Sequence, residues 1–215
     1  MRNDGITPKK ILGLTAALPF FYLDDLTPLG EDKPYMKIIL SRLAKRGEML
    51  RLKKSMYVSK PYIDAAEKSG LFPDYVEWLA NALYPSSYLS LDYILYEHNL
   101  LTEAPKNITS CSRSKTARFS NSFGNYFYHQ IQERLFLGFK ILKMGNFTIL
   151  KATRAKGLFD FLYLRKNLLV NRKSIEALRL NLGHLTPEDW RELEKYIEKE
   201  GSEKMKIIYA NLPPQ

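Results

Sequence analysis

Residues 34–59 contain a helix pattern, a glycine and two strand patterns in an order that few folds accommodate. Between residues 34 and 46, apolar side chains recur at helical spacing and fall on one face at 100° per residue. The residues on that face are Met36, Ile39, Leu40 and Leu43. Gly47 suits the left-handed position that ends a helix. Segments 48–52 and 56–59 then predict two short strands joined by the basic turn 53–55.

Two shorter helices are predicted upstream, over Lys9–Phe21 and over 23–30. Three helices followed by a basic hairpin form the layout of a winged helix-turn-helix, whose third helix enters the major groove of DNA. The sequence therefore predicts an N-terminal winged helix-turn-helix DNA-binding domain at 1–60. The candidate DNA-binding residues are Lys37, Ser41, Arg42 and Lys45 for the groove, and Arg46, Arg51, Lys53 and Lys54 for phosphates. If the helix at 34–46 is considered without the hairpin, a simpler alternative to DNA binding is an amphipathic helix whose Lys and Arg side chains only face water.

Positive charge is concentrated in two blocks of the chain. The 215 residues carry 33 Lys and Arg against 23 Asp and Glu, a net charge of +10. Residues 1–60 carry +6 and residues 103–175 carry +11, whereas residues 61–102 carry −5 and residues 176–215 carry −2. A surface that mixes positive and negative charges is enough for solubility. The concentration of positive charge in two blocks therefore indicates a polyanionic partner, most simply nucleic acid.

The remainder of the chain is predicted to be a connector at 61–73, containing Pro61, Gly70 and Pro73, and a second domain at 74–215. The fold class is α+β, with a larger mixed α/β domain whose sheet is mostly antiparallel. Its predicted helices are 75–83, with Asp74 as cap and Glu77 completing a capping box, Ser90–His98, 155–168, 174–181, and one from Thr186 to near Gly201. Its predicted strands are Ile108–Ser112, Arg118–Ser120, Tyr126–Ile131, Phe136–Leu142 and Phe147–Lys151.

No catalytic set emerges from the second domain. His98, His129 and His184 share no metal-ligand spacing with one another or with Cys111, and no glycine-rich phosphate loop is present. The chain is therefore interpreted as a binding protein that is not an enzyme and uses no cofactor or metal. One cysteine and the lack of an apolar stretch of about 20 residues favour a cytoplasmic protein with no membrane partner.

The basic block at 103–175 leaves two alternatives open. A second basic surface is predicted from Arg113, Lys115, Arg118, Lys140, Lys151 and Arg154. The aromatic residues near it could stack on bases, which would make the chain an RNA-binding module. These are Phe119, Phe123, Tyr126, Phe127 and Tyr128. Core packing explains them equally well. The other alternative is a nuclease or nucleotide transferase that acts on nucleic acid held by this block.

Several segments, taken in order and with their spacing, resemble a known family. They are Pro85–Leu91, Tyr96–Leu101, Ile108–Ser110, Arg118-Phe119, Phe123-Gly124, Tyr126–Ile131, Leu135–Phe139, Ala152-Thr153 and Leu158–Leu164. They are similar to the antitoxins of bacterial abortive-infection AbiE systems (AbiEi-type antitoxins of type IV toxin–antitoxin systems), over roughly residues 10–170. Arg154-Ala155 departs from the Pro-Glu pair usual in that family, and Gly157 replaces a usual alanine.

The resemblance implies a regulator without enzymatic activity. It implies a DNA-binding transcriptional autorepressor whose winged helix binds its own promoter, as double-stranded DNA with inverted repeats. It also implies an antitoxin that counteracts a cognate nucleotidyltransferase-type toxin, directly or indirectly. The basic second domain is then expected to assist DNA binding, to oppose the toxin, or both.

Overall fold

The computed structural model describes residues 7–30 and 32–212. The first residues of the predicted N-terminal domain (1–6) and the last residues of the predicted second domain (213–215) lie outside the described residues. The protein is an α+β protein of two compact units. The first unit comprises the described residues up to Val76 together with Phe119–Gly124. The second comprises Glu77–Arg118 and the described residues from Asn125 onward.

The first unit begins with a short helix, α1 (Pro8–Thr15), in which Thr7 caps the amide of Lys10. The prediction of a helix over Lys9–Phe21 is wrong at its end, because Phe21–Tyr22 forms strand β1. Phe21 is buried and pairs with a later strand, so tertiary pairing overrides the helical pattern there. The second predicted element is a 3-10 helix, Leu23–Leu29, closed by Gly30 at a φ of 86°.

Helix α2 (Lys33–Lys45) forms where the apolar spacing predicted a helix over 34–46. The Asp32 carboxylate accepts a hydrogen bond of 2.8 Å from the amide of Tyr35 and caps the helix. Gly47, at a φ of 72°, follows the helix end. Its buried residues are Met36, Ile39, Leu40 and Leu43, as the spacing predicted.

The predicted hairpin is also present, as β2 (Met49–Lys53) and β3 (Met56–Ser59). The strands pair antiparallel, with a bulge between Arg51 and Lys53. The turn is therefore shorter than predicted, since Lys53 belongs to β2. β1 pairs with the other edge of β3, giving a three-stranded sheet in the order β1-β3-β2.

The segment predicted as a connector is largely helical. Helix α3 (Lys60–Lys68) carries Pro61 in its first turn, where the fixed φ of proline suits helix, and buries Ile63 and Ala66. Helix α4 (Phe72–Leu83) starts before Asp74, so the prediction that Asp74 caps a helix is wrong. Glu77 bonds instead to the Tyr93 hydroxyl and the Lys151 ammonium, each at 2.8 Å.

A six-stranded sheet has most of its residues in the second unit. Its strands are β4 (Ser87–Leu89), β5 (Ile108–Ser112), β6 (Ala117–Asn121), β7 (Gly124–Gln130), β8 (Phe139–Met144) and β9 (Phe147–Ala152). Their order is β6-β7-β5-β4-β9-β8. β4 pairs with β9 and β5 with β7 in parallel, whereas β4–β5 and β8–β9 are antiparallel. The sheet is therefore mixed, because strands distant in sequence meet at its centre.

Helices follow the strands of the second unit. They are α5 (Asp92–Glu97), α6 (Arg154–Arg165), α7 (Arg172–Glu176), α8 (Pro187–Glu200) and α9 (Glu203–Ala210). Short 3-10 helices cover Glu133–Leu135 and Leu182–His184. α8 begins with the predicted capping box of Thr186 and Asp189, whereas α9 was not predicted. α5 starts two residues later than predicted, because the backbone of Leu91, at φ 60° and ψ −140°, is not helical.

Helix α6 lies at the centre of this unit, and each residue from Ala155 to Leu162 is buried. The prediction of an apolar, buried helix there is confirmed. It nevertheless carries a buried Lys156–Asp160 ion pair. Gly157 permits close packing on α5, because a Cβ there would lie 2.7 Å from Cγ2 of Ile94.

Candidate nucleic-acid interface

The face of α2 opposite its buried stripe is open to solvent. The four predicted groove residues all lie on it and are all exposed: Lys37, Ser41, Arg42 and Lys45. Tyr35 and Ile38, exposed by 44% and 49%, share the same face. Neither was among the predicted residues, although 100° per residue places both there. The face therefore combines cations with one aromatic and one aliphatic side chain.

The residues predicted to bind phosphate lie on or next to the β2–β3 hairpin. Arg51 and Lys54 are exposed, and the Arg51 Nε donates to the Lys53 carbonyl at 3.3 Å. Arg46 is exposed but forms an ion pair of 3.2 Å with Glu48. Lys53 is half-buried. Arg46, Arg51 and Lys54 therefore face solvent, and Glu48 partly neutralises the charge of Arg46.

Lys53 is the least exposed of the eight predicted DNA-binding residues. Its ammonium lies 5.7 Å from the ring centroid of Phe119, and burial lowers its pKa. Next to it, the Leu52 carbonyl at the bulge accepts a hydrogen bond of 3.2 Å from the Asn121 amide. The segment 119–124 of the first unit therefore contacts the hairpin at its bulge.

Acidic residues leave most of this positive charge uncompensated. Within 7–30 and 32–212, no carboxylate lies within ion-pair distance of Lys37, Arg42, Lys45, Arg51 or Lys54. Lys33 and Lys60, in contrast, pair with Asp24 at 2.9 Å and Asp64 at 2.7 Å. Exposed cations without acidic partners attract polyanions most strongly at low ionic strength.

Four of the six residues predicted to form a second basic surface are exposed. Lys115 and Lys140 are exposed. Arg113 is exposed but pairs with Glu133 at 2.9 Å. Arg118 is exposed, and its guanidinium lies 4.7 Å from the ring centroid of Phe127.

Lys151 and Arg154 do not belong to an exposed basic surface. The Lys151 side chain is 11% exposed and its ammonium binds Glu77 at 2.8 Å and Glu97 at 3.1 Å. The Arg154 guanidinium binds Asp189 at 3.2 Å and the His184 carbonyl. Both cations are neutralised by acids far away in sequence, so their charge stabilises the second unit rather than extending a surface.

The aromatic residues proposed for base stacking are mostly engaged in packing. Tyr126 and Tyr128 are fully buried. Phe123 makes edge-to-face contacts with Phe72 and Tyr75, at centroid distances of 5.5 and 5.8 Å. The Phe119 ring lies next to the Lys53 ammonium, and the Phe127 ring lies next to the Arg118 guanidinium.

Cys111 and His129 are paired residues of the parallel strands β5 and β7, whereas His98 follows α5 and His184 lies in a 3-10 helix. Cys111 is fully buried in β5, and burial raises the pKa of its thiol, so the thiol is not an activated nucleophile. Burial lowers the pKa of His98 and of His129, which favours neutral rings. In the described part of the chain, no three His, Cys, Asp or Glu residues are grouped so that they could hold a metal ion.

Two further findings concern the chain as a whole. Among the described helices, none combines the length and the apolar character that crossing a bilayer requires. Comparison with protein-family models and with curated proteins gave no match to this chain.

Proposed function

We propose that the first unit binds duplex DNA as a winged helix-turn-helix, with α2 in the major groove and the β2–β3 hairpin on the backbone. The observation that carries this proposal is the exposed face of α2, whose cations have no acidic partners among the described residues. Recognition helices read bases through side chains near their N-terminal end. Lys37 and Ile38 lie in the first half of α2, and Ser41 lies one turn after Lys37 on the same face.

The chemistry of this face suits both steps of DNA recognition. Lys and Arg contact phosphates and guanine, Ser bonds to several base edges, and an aliphatic side chain such as Ile38 can meet a thymine methyl group. Exposed Arg51 and Lys54 supply charge on the hairpin. Electrostatic contact with phosphates gives affinity, whereas the polar and apolar groups on α2 give sequence preference.

The wider function proposed is that of a transcriptional autorepressor and antitoxin that counteracts a nucleotidyltransferase-type toxin. This part rests on the resemblance to the AbiE antitoxins, together with the DNA-binding surface. A repressor of this kind is expected to bind its own promoter at inverted repeats. Counteraction of the toxin does not require that the two proteins touch.

The test is a gel shift of the full chain on the DNA upstream of its own gene, compared with unrelated duplex of equal length. The expected result is a preference for the upstream DNA that Arg42→Ala reduces by about 1–3 kcal/mol, the usual value of a base contact. Lys195→Ala, on exposed surface of α8, is the charge-matched control and should change nothing. Equal binding to both duplexes, or preference for single-stranded RNA, contradicts the proposal.

The antitoxin function has a separate test. Expression of a nucleotidyltransferase-type toxin from the neighbouring gene should arrest growth, and coexpression of this protein should restore it. A variant with Arg42→Ala and Lys45→Ala distinguishes the two activities, because it should lose repression whether or not it still restores growth. Failure of the wild-type chain to restore growth rejects the antitoxin function and leaves DNA binding unaffected.

A further inference from the structure

The second unit contains an open cleft of about 770 Å³, which is within the range for small-molecule sites. Its walls come from the start of α5, the strands β5 and β7, the end of α6 and the loops around 101–107 and 177–179. Its cationic lining residues are Lys106, Arg165 and Arg179, and His129 and Phe127 line it as well. None of these residues belongs to the proposed DNA-binding surface.

Arg165 is held in a fixed orientation at one side of this cleft. Its Nη2 lies 3.3 Å from each carboxylate oxygen of Asp92, and its Nη1 donates to the Phe161 carbonyl at 3.2 Å. The guanidinium also lies 3.6 Å from the ring centroid of Phe161. A guanidinium has five N–H donors, so these bonds leave donors for a ligand. A fixed arginine is well suited to bind a phosphate through two parallel bonds.

The position of Asp92 depends on an unusual backbone conformation. Leu91, directly before it, has φ 60° and ψ −140°, a combination that normally requires glycine. Leu91 is buried, and the Ser90 hydroxyl before it donates to Asp160 at 2.7 Å. Strain of this kind persists where the surroundings hold it, and it is frequent at binding sites.

Two more cations border the cleft without acidic partners. Lys106 and Arg179 are exposed, and no carboxylate of the described chain lies within ion-pair distance of either. Arg179 has a φ of 51°, and its amide bonds to the Glu176 carbonyl at 3.0 Å. Glu103 also lines the cleft and Asp92 is paired with Arg165, so positive charge remains in slight excess.

Two residues of β7 in the lining offer a surface for a flat ring. Phe127 and His129 alternate along β7 and are both half-buried. Burial, together with the nearby Arg165, lowers the pKa of His129, so its ring is neutral near pH 7 and can donate or accept a hydrogen bond. Asn107 is also in the lining and brings an amide.

We infer that this cleft binds a free nucleotide. Arg165 would hold the phosphate through its unused donors, and Lys106 and Arg179 would approach the same charge from the loops. The base would lie against Phe127 and His129. This inference is independent of the proposed DNA binding, since it concerns other residues in the other unit.

Calorimetric titration of the full chain with ATP, GTP, AMP and pyrophosphate tests the inference. A nucleotide should bind, and the double variant Lys106→Ser, Arg179→Ser should weaken it at least about tenfold, the usual effect of losing charge-assisted hydrogen bonds. Both residues are exposed, so this variant should fold normally. The control Lys140→Ser, Lys143→Ser removes the same charge from exposed positions of β8 outside the cleft and should keep wild-type affinity.

Arg165→Lys keeps the charge but loses the planar fork, and it should also weaken binding, with a melting curve to show that it is folded. Absence of binding for every nucleotide overturns the inference. Pyrophosphate that binds as tightly as ATP overturns the assignment of a base to the Phe127 wall. An equal loss in the β8 control would show that the attraction is non-specific and would also overturn it.

Discussion

Lys156 and Asp160, one turn apart on α6, form an ion pair of 2.7 Å in which neither side chain is exposed. Asp160 also accepts bonds from the Tyr88 hydroxyl at 2.9 Å and the Ser90 hydroxyl at 2.7 Å, and Lys156 donates to the Leu135 carbonyl at 2.8 Å. A buried charge is tolerated only when it is paired and bonded in this way.

Removing one partner of this pair should destabilise the second unit strongly. We expect Asp160→Asn and Lys156→Met each to cost about 3–5 kcal/mol of unfolding free energy, because each leaves an uncompensated buried group. Urea unfolding measures this. The double variant should cost much less than the sum of the two single variants, and strictly additive losses would show that the pair is not coupled.

Gly157 is required by packing rather than by backbone conformation. Gly157→Ala should raise helix propensity by about 1 kcal/mol but still destabilise the protein, since the new methyl group would meet Ile94 at 2.7 Å. The measurement is thermal unfolding of Gly157→Ala, Ile94→Ala and the double variant. A favourable coupling in this cycle is expected, and a more stable Gly157→Ala protein would refute the close approach.

Glu200 should contribute stability that depends on pH. Burial alone would raise its pKa, but hydrogen bonds from Lys166 at 2.6 Å and from Ser202 outweigh this and lower the pKa below its ordinary 4.5. Its contribution is therefore present above about pH 4.5 and is lost as the pH falls through the folded pKa. Glu200→Gln should destabilise the protein by about 1–2 kcal/mol at pH 7.

Denaturant unfolding of Glu200→Gln and wild type at pH 7 and at successively lower pH checks this sign. The difference between them should shrink in acid. The neighbouring exposed Glu198→Gln serves as the control and should match wild type throughout. A difference that grows as the pH falls would mean that the pKa of Glu200 is raised.

The proposed contact between the β2–β3 hairpin and phosphates predicts how DNA binding depends on salt concentration. If Lys53 and Lys54 bind phosphates, their double substitution by Ala should weaken binding to all duplexes. It should also reduce the slope of log K against log salt by about 1 for each phosphate that the variant no longer neutralises. Filter binding across a salt series measures the slope. Lys195→Ala with Lys199→Ala is the charge-matched control, and an unchanged slope in the hairpin variant removes the hairpin from the interface.

The contrast between Lys53 and Lys54 sharpens this test. Lys54 is exposed in the turn, whereas Lys53 is half-buried next to Phe119 and burial lowers its pKa. Lys54→Ala alone should therefore account for most of the change in slope. If Lys53→Ala and Lys54→Ala each change the salt slope equally, Lys53 must leave the Phe119 ring when DNA binds.

The sequence alone determined those elements whose signals are local. The period of Met36, Leu40 and Leu43 together with Gly47 fixes α2 and its open face, because side-chain direction along a helix follows from spacing. Thr186, Pro187 and Asp189 likewise mark the start of α8, since a cap needs only residues within one turn. The exposed cations on α2 follow from the same local geometry.

The tertiary structure decided what depends on residues far apart in the chain. The sheet is mixed because β4 meets β9 and β5 meets β7 in parallel, which no local pattern records. Lys151 and Arg154 were predicted to be surface cations, but Glu77 and Asp189 neutralise them across distances that only the fold brings together. Hydrophobic periodicity and helix capping depend on residues a few positions apart. The electrostatic contribution of a charged side chain depends instead on the groups that surround it in space.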